Sequence, residues 1–359
     1  NVNVNNFEEI ERFCKNNSID LVFIGPEKYL MDGLTNYLEK SDIKCFGPTK
    51  HNTLLTEGSK IESKNLMKKF GLPTASFVKF NLSKKNYKNF IFHLDKNINT
   101  CVIKKDGLAA GKGVYLPNNI NDAFLFVEEC MNDVKCENIL IEKRLYGEEV
   151  SVMAFCNGEE VWLMPQTQDF KRIYDNDLGN NTGGMGAICP AIILNQKELD
   201  EVREYMSKVV KGCKSLTGKG YVGVLYAGIM KTEKGLYFLE FNSRFGDPEA
   251  QTILNLLDSD LYKICLDCID GNKLDIKWKS GYVANVVMSH EDYPLKKSTE
   301  PLDVMIHDKF YESNNKIYWA NVKREYGVNY TTGGRVCSVV NHSQKSLYDA
   351  LQNIYNHCY

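Results

Sequence analysis

Apolar positions along the chain change period several times, and the changes mark its units. The opening stretch FEEIERFCKNNSI, from Phe7, carries apolar residues at helical spacing. LVFIG, from Leu21 to Gly25, is a continuous apolar run bounded by Asp20 and Pro26, the pattern of a buried parallel strand. A helix is expected from Pro26 to Lys40 and a short strand from Ile43 to Gly47. Residues 1–58 therefore alternate helix and strand, as in a doubly wound parallel sheet. The next helix runs from Ser59 to Phe70 and stops at Gly71-Leu72-Pro73, a C-cap glycine with proline just beyond.

From Ser76 the texture becomes α+β. The strand SFVKF, a helix around Asn86 to Asp95, and the strand TCVIKK lead into the glycine-rich KKDGLAAGKGVYL. A helix from about Asn121 to Met131 and the strands NILIEKRL and GEEVSVMAF complete a small unit, about 76–150, of subdomain size. The polar, Gly-rich stretch from Thr167 to Pro190 has no period and is too long for an idle connection, so a binding loop is expected. A helix from Gln196 to Ser215 precedes the hairpin YVGVLYAGIMK and KGLYFLEFN, turned at Thr232 to Gly235. Two more helical patterns follow. From Gly281 the chain is β-rich and closes on a helix from Ser346. The fold class expected is α/β and α+β multidomain, divided at 1–58, 59–275 and 276–359.

Composition narrows the class without naming it. The chain has 359 residues, enough for roughly two or three domains, with 43% hydrophobic and 25% charged residues. The net charge of -2 offers no basic excess for nucleic acid. No apolar run reaches membrane-spanning length and no signal segment opens the chain, so a cytoplasmic protein is expected. The 12 cysteines are not spaced for zinc; the single CxxC, Cys265 and Cys268, lies inside an apolar helical pattern and reads as buried thiols.

Four constellations carry candidate chemistry. Lys104-Lys105-Asp106-Gly107-Leu-Ala-Ala-Gly111-Lys112-Gly113 is not a P-loop, because three residues separate the glycines and no Ser or Thr follows the Lys. A Gly-rich turn between strands can still cover phosphates with backbone N–H groups, aided by flanking lysines; a plain flexible hairpin is the competing reading. In Ile141-Glu142-Lys143-Arg144-Leu145, the connector after a strand exposes backbone groups able to read an adenine edge, and Glu149 could accept from ribose hydroxyls. Taken alone this segment reads first as a solvated acidic turn. In LEFNSRFGDPE, alternation puts Glu240, Asn242 and Arg244 on one face. Carboxylate and amide oxygens there suit Mg²⁺, and the guanidinium suits a phosphate or carboxylate; a solvated polar stripe would share the period. Finally, Asp169, Lys171 and Arg172 with Asn181, Gly183 and Gly184 combine both charge signs with glycines that permit close approach to a ligand.

Together these motifs resemble the ATP-grasp superfamily and, within it, the phosphoribosylamine–glycine ligase family. GPE at Gly25, FGP at Phe46, SK at Ser59, IKKDGLAAGKGV, IEKRLYGEEVS, QDFKR, NNTGGMGA, LEFNSRFGDPEAQ and GGR at Gly333 carry the likeness in the expected order. The resemblance implies an ATP-grasp core with a small lid and a β-rich C-terminal domain. It also implies that glycine is phosphorylated by ATP to glycyl phosphate and then attacked by 5-phosphoribosylamine. Lys60, Lys104 and Gly107, Gly111, Lys112 and Gly113 would contact the ATP phosphates; Glu142, Lys143 and Leu145 the adenine; Glu149 the ribose. Glu240 and Asn242 would hold Mg²⁺ or Mn²⁺. Asp169, Arg172, Asn181, Gly183, Gly184 and Pro248 would face substrate, with Lys171, Arg244 and Asp247 closest to the chemistry. The implied partners are glycine and 5-phosphoribosylamine, without nucleic acid or membrane, for a monomer or weak homodimer.

The sequence departs from that family at three places. The opening strand and GGREH-type turn have no counterpart, so the N-terminal sheet is expected to lack its first strands. Phe170 replaces the His of QDHKR, and Asp292-Tyr293-Pro294-Leu-Lys-Lys-Ser stands where a Gly-Tyr-Pro run is usual. Another ATP-grasp carboxylate–amine ligase and a non-catalytic nucleotide-binding module are the alternatives.

Overall fold

The computed structural model describes residues 2–82, 90, 93–94, 98–108, 113–133, 136–295, 301–311 and 313–358. Most of the helix expected at Asn86 to Asp95, residues Gly111 and Lys112, and the Lys-Lys-Ser end of the 292–298 turn lie outside them.

A four-stranded antiparallel sheet organises the centre, in the order Gly235–Asn242, Val222–Thr232, Glu148–Asn157, Val161–Leu163. Its register sorts the residues by face. Ala227 pairs Val152 and Phe241, and Leu225 pairs Ala154, so these apolar side chains share one side. They pack with Val202, Met206, Val209, Val210 and Cys213 of the helix Gln196–Thr217 in one core. That helix starts at a capping box, Asn195 with Glu198, and stops at Gly218, whose φ of 73° needs no Cβ. On the opposite face the same ladders align Glu149 with Met230, Ser151 with Gly228, and Tyr226 and Gly228 with Asn242 and Glu240. This is the face that carries the chemistry.

The lid is a second four-stranded sheet, Phe77–Asn81, Asn138–Lys143, Cys101–Lys105, Val114–Tyr115. The helix Ile120–Asn132 buries Ala123, Val127 and Cys130 against Ile103, Ile139 and Ile141. The strands that flank the glycine-rich segment, Cys101–Lys105 and Val114–Tyr115, are antiparallel neighbours. The helix Lys60–Lys69 begins at Ser59, whose side chain accepts from Glu62 N–H, and closes over Gly71 with Leu72 N–H donating to Met67 O.

The N-terminal unit shows the expected parallel pair, Val22–Phe23 with Cys45–Phe46. The helix read as continuous from Pro26 to Lys40 is two helices, Glu27–Asp32 and Leu34–Glu39, parted at Gly33, where φ is 93°. The stretch from Thr167 to Pro190 is also more ordered than a binding loop. It forms the hairpin Arg172–Tyr174 with Leu178–Asn181, and its strands Gln168–Asp169 and Gly186–Cys189 enter a five-stranded sheet. Gly186–Cys189 pairs there with Tyr282–Ser289, beside Arg335–Ser343 and Lys316–Trp319. Cys265 and Cys268 are buried on the helix Leu261–Ile269, as the sequence suggested. Among the described residues no helix is long and apolar enough to cross a membrane.

Candidate active site

Five clusters of polar side chains line the seam between the central sheet, the lid and the C-terminal sheet. In the first, Glu142 lies between two lysines: Lys64 Nζ is 3.0 Å from its Oε2 and Lys104 Nζ 3.1 Å from its Oε1. Exposure of Lys64, Glu142 and Lys104 is 2%, 3% and 6%, so the three groups have left water and one carboxylate serves two amines. Lys64 also donates to Thr74 Oγ1 at 2.6 Å, and burial pushes its pKa down to about 8. The carboxylate of Glu142 thus serves the lysines. Lys143 N–H and Arg144 N–H of the connector bind Ser76 O and Thr100 O, so the chain itself takes those two donors.

Lys60 opens its helix and reaches across to the lid, donating to Gly107 O at 3.0 Å. Burial lowers its pKa. Asp106, next to that glycine, accepts from Ser59 Oγ at 2.9 Å and Ile61 N–H at 3.2 Å. The Gly-rich hairpin is therefore tied to the helix N-terminus by a carboxylate placed where the backbone donors are unsatisfied.

Glu240 and Asn242 share the strand face as expected. The charged neighbours of Glu240 are mostly cations: burial alone would raise its pKa, but Lys171, Lys104, Lys60 and Arg244 together lower it. Asn242 is oriented by acceptors: the branch of its amide that meets Glu57 Oε1 and Phe241 O, both at 3.2 Å, must be the nitrogen. An ionised carboxylate and an amide oxygen are hard donors that fit Mg²⁺ or Mn²⁺. Among the described residues no group of three or more His, Cys, Asp and Glu side chains could hold a metal. An ion at this pair would therefore complete its shell with phosphate and water oxygens, as Mg²⁺ commonly does.

Arg244 belongs to the same third cluster through Glu57, whose Oε1 is 2.8 Å from its Nη2, and is clamped on the other side by Glu27, whose Oε2 is 3.2 Å from its Nε. Its Nη1 donates to Phe245 O at 3.0 Å, which leaves part of the five-donor guanidinium fork for a ligand.

The fourth cluster joins Lys171 with Glu149 and, at 3.9 Å, with Asp169. Burial alone would lower the Lys171 pKa, but Asp169 and Glu149 outweigh it and hold the ammonium charged. Burial raises Asp169 to about 7 and also raises Glu249. Glu249 accepts from Ser151 Oγ at 3.4 Å, and Ser151 Oγ lies 2.7 Å from Tyr226 Oη. Glu149, assigned to ribose from sequence, is thus paired with Lys171.

In the fifth cluster Arg335 gathers the substrate loop. Its Nη1 donates to Gly183 O at 2.8 Å and Asp247 O at 2.9 Å, and its Nη2 meets Asp247 Oδ2 at 2.6 Å. Gly183 N–H donates to Tyr293 Oη at 2.7 Å. Pro248 packs on Gly184 so tightly that a Cβ there would stand 2.4 Å from its Cδ. Arg172 and Asn181 pair across the outer hairpin, where Arg172 Nη1 donates to Gly179 O at 2.6 Å.

The sequence reading gave no role to Lys64, Glu57, Asp106, Glu249, Tyr226 or Arg335. Lys64 follows Lys60 by one helical turn, Glu57 precedes the Ser59 cap, and Glu249 and Arg335 close the RFGDPE and GGR motifs. Those positions were the available signals.

A family model for the ATP-grasp (A) domain of phosphoribosylglycinamide synthetase matches residues 58–250, and the model for its N domain matches residues 1–56. The chain belongs to the phosphoribosylglycinamide synthetase family. A phosphoribosylamine–glycine ligase of Lactococcus lactis is 37% identical over 357 residues, covering 97% of this chain and 84% of the relative. The trifunctional purine biosynthetic protein adenosine-3 of Chironomus tentans is 39% identical over 355 residues, but the chain spans only 25% of its length. Among solved structures, the phosphoribosylamine–glycine ligase of Thermotoga maritima superposes with a TM-score of 0.76 at 28% identity, covering 88% of this chain and 78% of that one. A biotin carboxylase of Campylobacter jejuni matches with a TM-score of 0.73 at 15% identity, a likeness of fold. The chain is thus an ATP-grasp protein of the synthetase family, with the mixed α/β architecture expected of it.

Proposed function

We propose that this chain joins glycine to 5-phosphoribosylamine at the expense of ATP; the names of its ligase relatives state the joining of phosphoribosylamine and glycine for them. One arrangement carries the proposal: Glu240 and Asn242 share a strand face, with Arg244 two residues on and Lys104 Nζ 3.5 Å from the neighbouring Leu239 O. Such a site suits a polyanion bound through a divalent ion.

In this reading Lys60, Lys104 and the turn from Gly107 through Gly111 and Lys112 to Gly113 receive the ATP phosphates. The segment Glu142, Lys143 and Leu145 lies at the adenine, with Glu142 acting through Lys104. Glu149, released from Lys171, would accept from ribose. Glu240 and Asn242 would hold Mg²⁺ or Mn²⁺. When bound, the ion would neutralise charge on the transferring phosphates. Phosphoryl transfer needs mainly positioning and charge neutralisation, which these side chains supply. Arg244, with its remaining donors, would hold the glycine carboxylate or the acyl phosphate made from it. Lys171 is kept charged for the same anion. Asp169, Arg172, Asn181, Gly183, Gly184, Asp247 and Pro248 would frame glycine and phosphoribosylamine, the amine of which displaces phosphate from glycyl phosphate. We keep the division at 1–58, 59–275 and 276–359, with the lid at about 76–150, as part of this proposal; apolar clusters within the first unit, the lid and the last unit support it, while Phe46, Val283 and Val340 share a further core with Met153 and Phe155 of the middle unit.

The test is phosphate release from ATP in the presence of each candidate acid. Glycine with phosphoribosylamine should stimulate it, and stimulation by another carboxylate instead would overturn the substrate assignment. Lys104→Met and Glu240→Ala should each lower kcat by a factor on the order of 10²–10³, the scale of losing one charge-stabilising group. ATP binding without turnover in the unaltered chain would favour a nucleotide-binding module.

A further inference from the structure

Glu57 lies in the π-helical turn Leu54–Gly58, two residues before the Ser59 cap, with its side chain 6% exposed. Its two oxygens take donors from three consecutive residues at the end of the metal-bearing strand. Oε1 faces the Asn242 amide nitrogen at 3.2 Å and Arg244 Nη2 at 2.8 Å, while Oε2 accepts Ser243 N–H at 2.7 Å. The preceding Thr56 adds a hydroxyl contact, Oγ1 to Ser243 Oγ at 2.7 Å.

An asparagine amide can present either oxygen or nitrogen to a ligand, and only the oxygen binds a hard cation. At position 242 the choice is made by what lies behind it. Both oxygens of Glu57 already accept, Oε1 from Arg244 Nη2 and Oε2 from Ser243 N–H, and Phe241 O stands beside them, so the nitrogen turns toward these acceptors and the oxygen away from them. The same carboxylate pins the backbone at Ser243 and the guanidinium of Arg244. We propose that Glu57 is a positioning residue that selects the metal-binding orientation of Asn242 and fixes Arg244 beside it. This rests on the reading of Glu240 and Asn242 as the pair that holds the divalent ion. It adds to that reading a residue from a separate segment that touches neither ion nor substrate.

The measurement is ADP affinity of the full chain by calorimetry, once with Mn²⁺ and once with a chelator. The unaltered chain should bind more tightly with Mn²⁺. Glu57→Gln puts a donor among donors: its amide leaves either Ser243 N–H, or both Asn242 and Arg244, without an acceptor. The Mn²⁺-dependent gain should fall about tenfold or more, the usual cost of losing a group that orients a ligand. Affinity without metal should stay within about twofold, because a change confined to the metal ligand leaves the lysines untouched.

Exchanging the pair, with Glu57→Gln and Asn242→Asp together, restores a donor facing an acceptor and should recover most of the gain. The inference is overturned if Glu57→Gln leaves the gain intact or lowers both affinities equally. It is also overturned if the exchanged pair neither folds nor recovers. An unaltered chain with no Mn²⁺-dependent gain would overturn the functional reading itself, and this inference with it.

Discussion

Lys171 shows how a single side chain can be set by its neighbours. Glu149 and Asp169 hold its ammonium from two strands, and Asp169 is in turn crowded by Glu249. Too few positive charges reach Asp169 to offset its burial, so its carboxyl rises to about 7 from an ordinary 3.8. The sign of the consequence follows from proton counts. Between those values the folded chain retains a proton that the unfolded chain has released, so this group's contribution to stability is full below about pH 4 and is lost as pH rises through about 7. Asp169→Asn removes the titration. The melting temperature of that variant should therefore gain on the unaltered chain from pH 4 to 8, when both are measured at fixed ionic strength. A difference independent of pH would show that Asp169 ionises in the fold as it does outside it.

Among the elements, the central strands were the most legible. Alternation in Phe238 to Asn242 placed Glu240 and Asn242 together, and the ladder opposite Gly228 and Tyr226 agrees. Helix ends were readable for the same local reason, as Ser59 and Gly71 bound Lys60–Lys69. The stretch from Thr167 to Pro190 was not readable as strands. Its strands are two to four residues long, too short to show a period; two pair only with each other, and Gly186–Cys189 is held at the edge of Tyr282–Ser289. The partners of the site residues were hidden for a related reason: Glu142 with Lys64, Glu57 with Arg244, and Arg335 with Gly183 meet across the fold, and no local period encodes such meetings.

One element-scale prediction concerns Gly184. Its φ of 107° is a conformation for glycine, and Pro248 leaves no room for a Cβ. Gly184→Ala should cost about 1–3 kcal/mol in strain or shift the loop to relieve it. Chemical denaturation and the glycine KM would register the two outcomes. An alanine variant unchanged in both would mean that the close approach of loop and Pro248 has no bearing on substrate.

At the scale of the whole molecule, segments far apart in the chain hold one strand end and one loop. Glu27 comes from the N-terminal helices, the Glu57 turn leads into the central sheet, Arg335 comes from the C-terminal sheet, and Tyr293 from the turn after its strand Tyr282–Ser289. Arg335 is the more demanding of these links, because it bonds two carbonyls and the carboxylate of Asp247 at once. A planar fork can do that, whereas a lysine is a single point charge. Arg335→Met should therefore loosen Gly183, Gly184 and Asp247 together, while the lysines of the lid, on a different sheet, stay in place. We expect KM for glycine or phosphoribosylamine to rise on the order of tenfold, as for losing charge-assisted hydrogen bonds worth about 1.5–3 kcal/mol. KM for ATP should change little, and Arg335→Lys should recover only part of the loss. Steady-state kinetics with each substrate varied in turn separates the cases. If ATP and glycine weaken in proportion, Arg335 supports the fold as a whole rather than the substrate loop, and the C-terminal sheet is then a brace for the entire site.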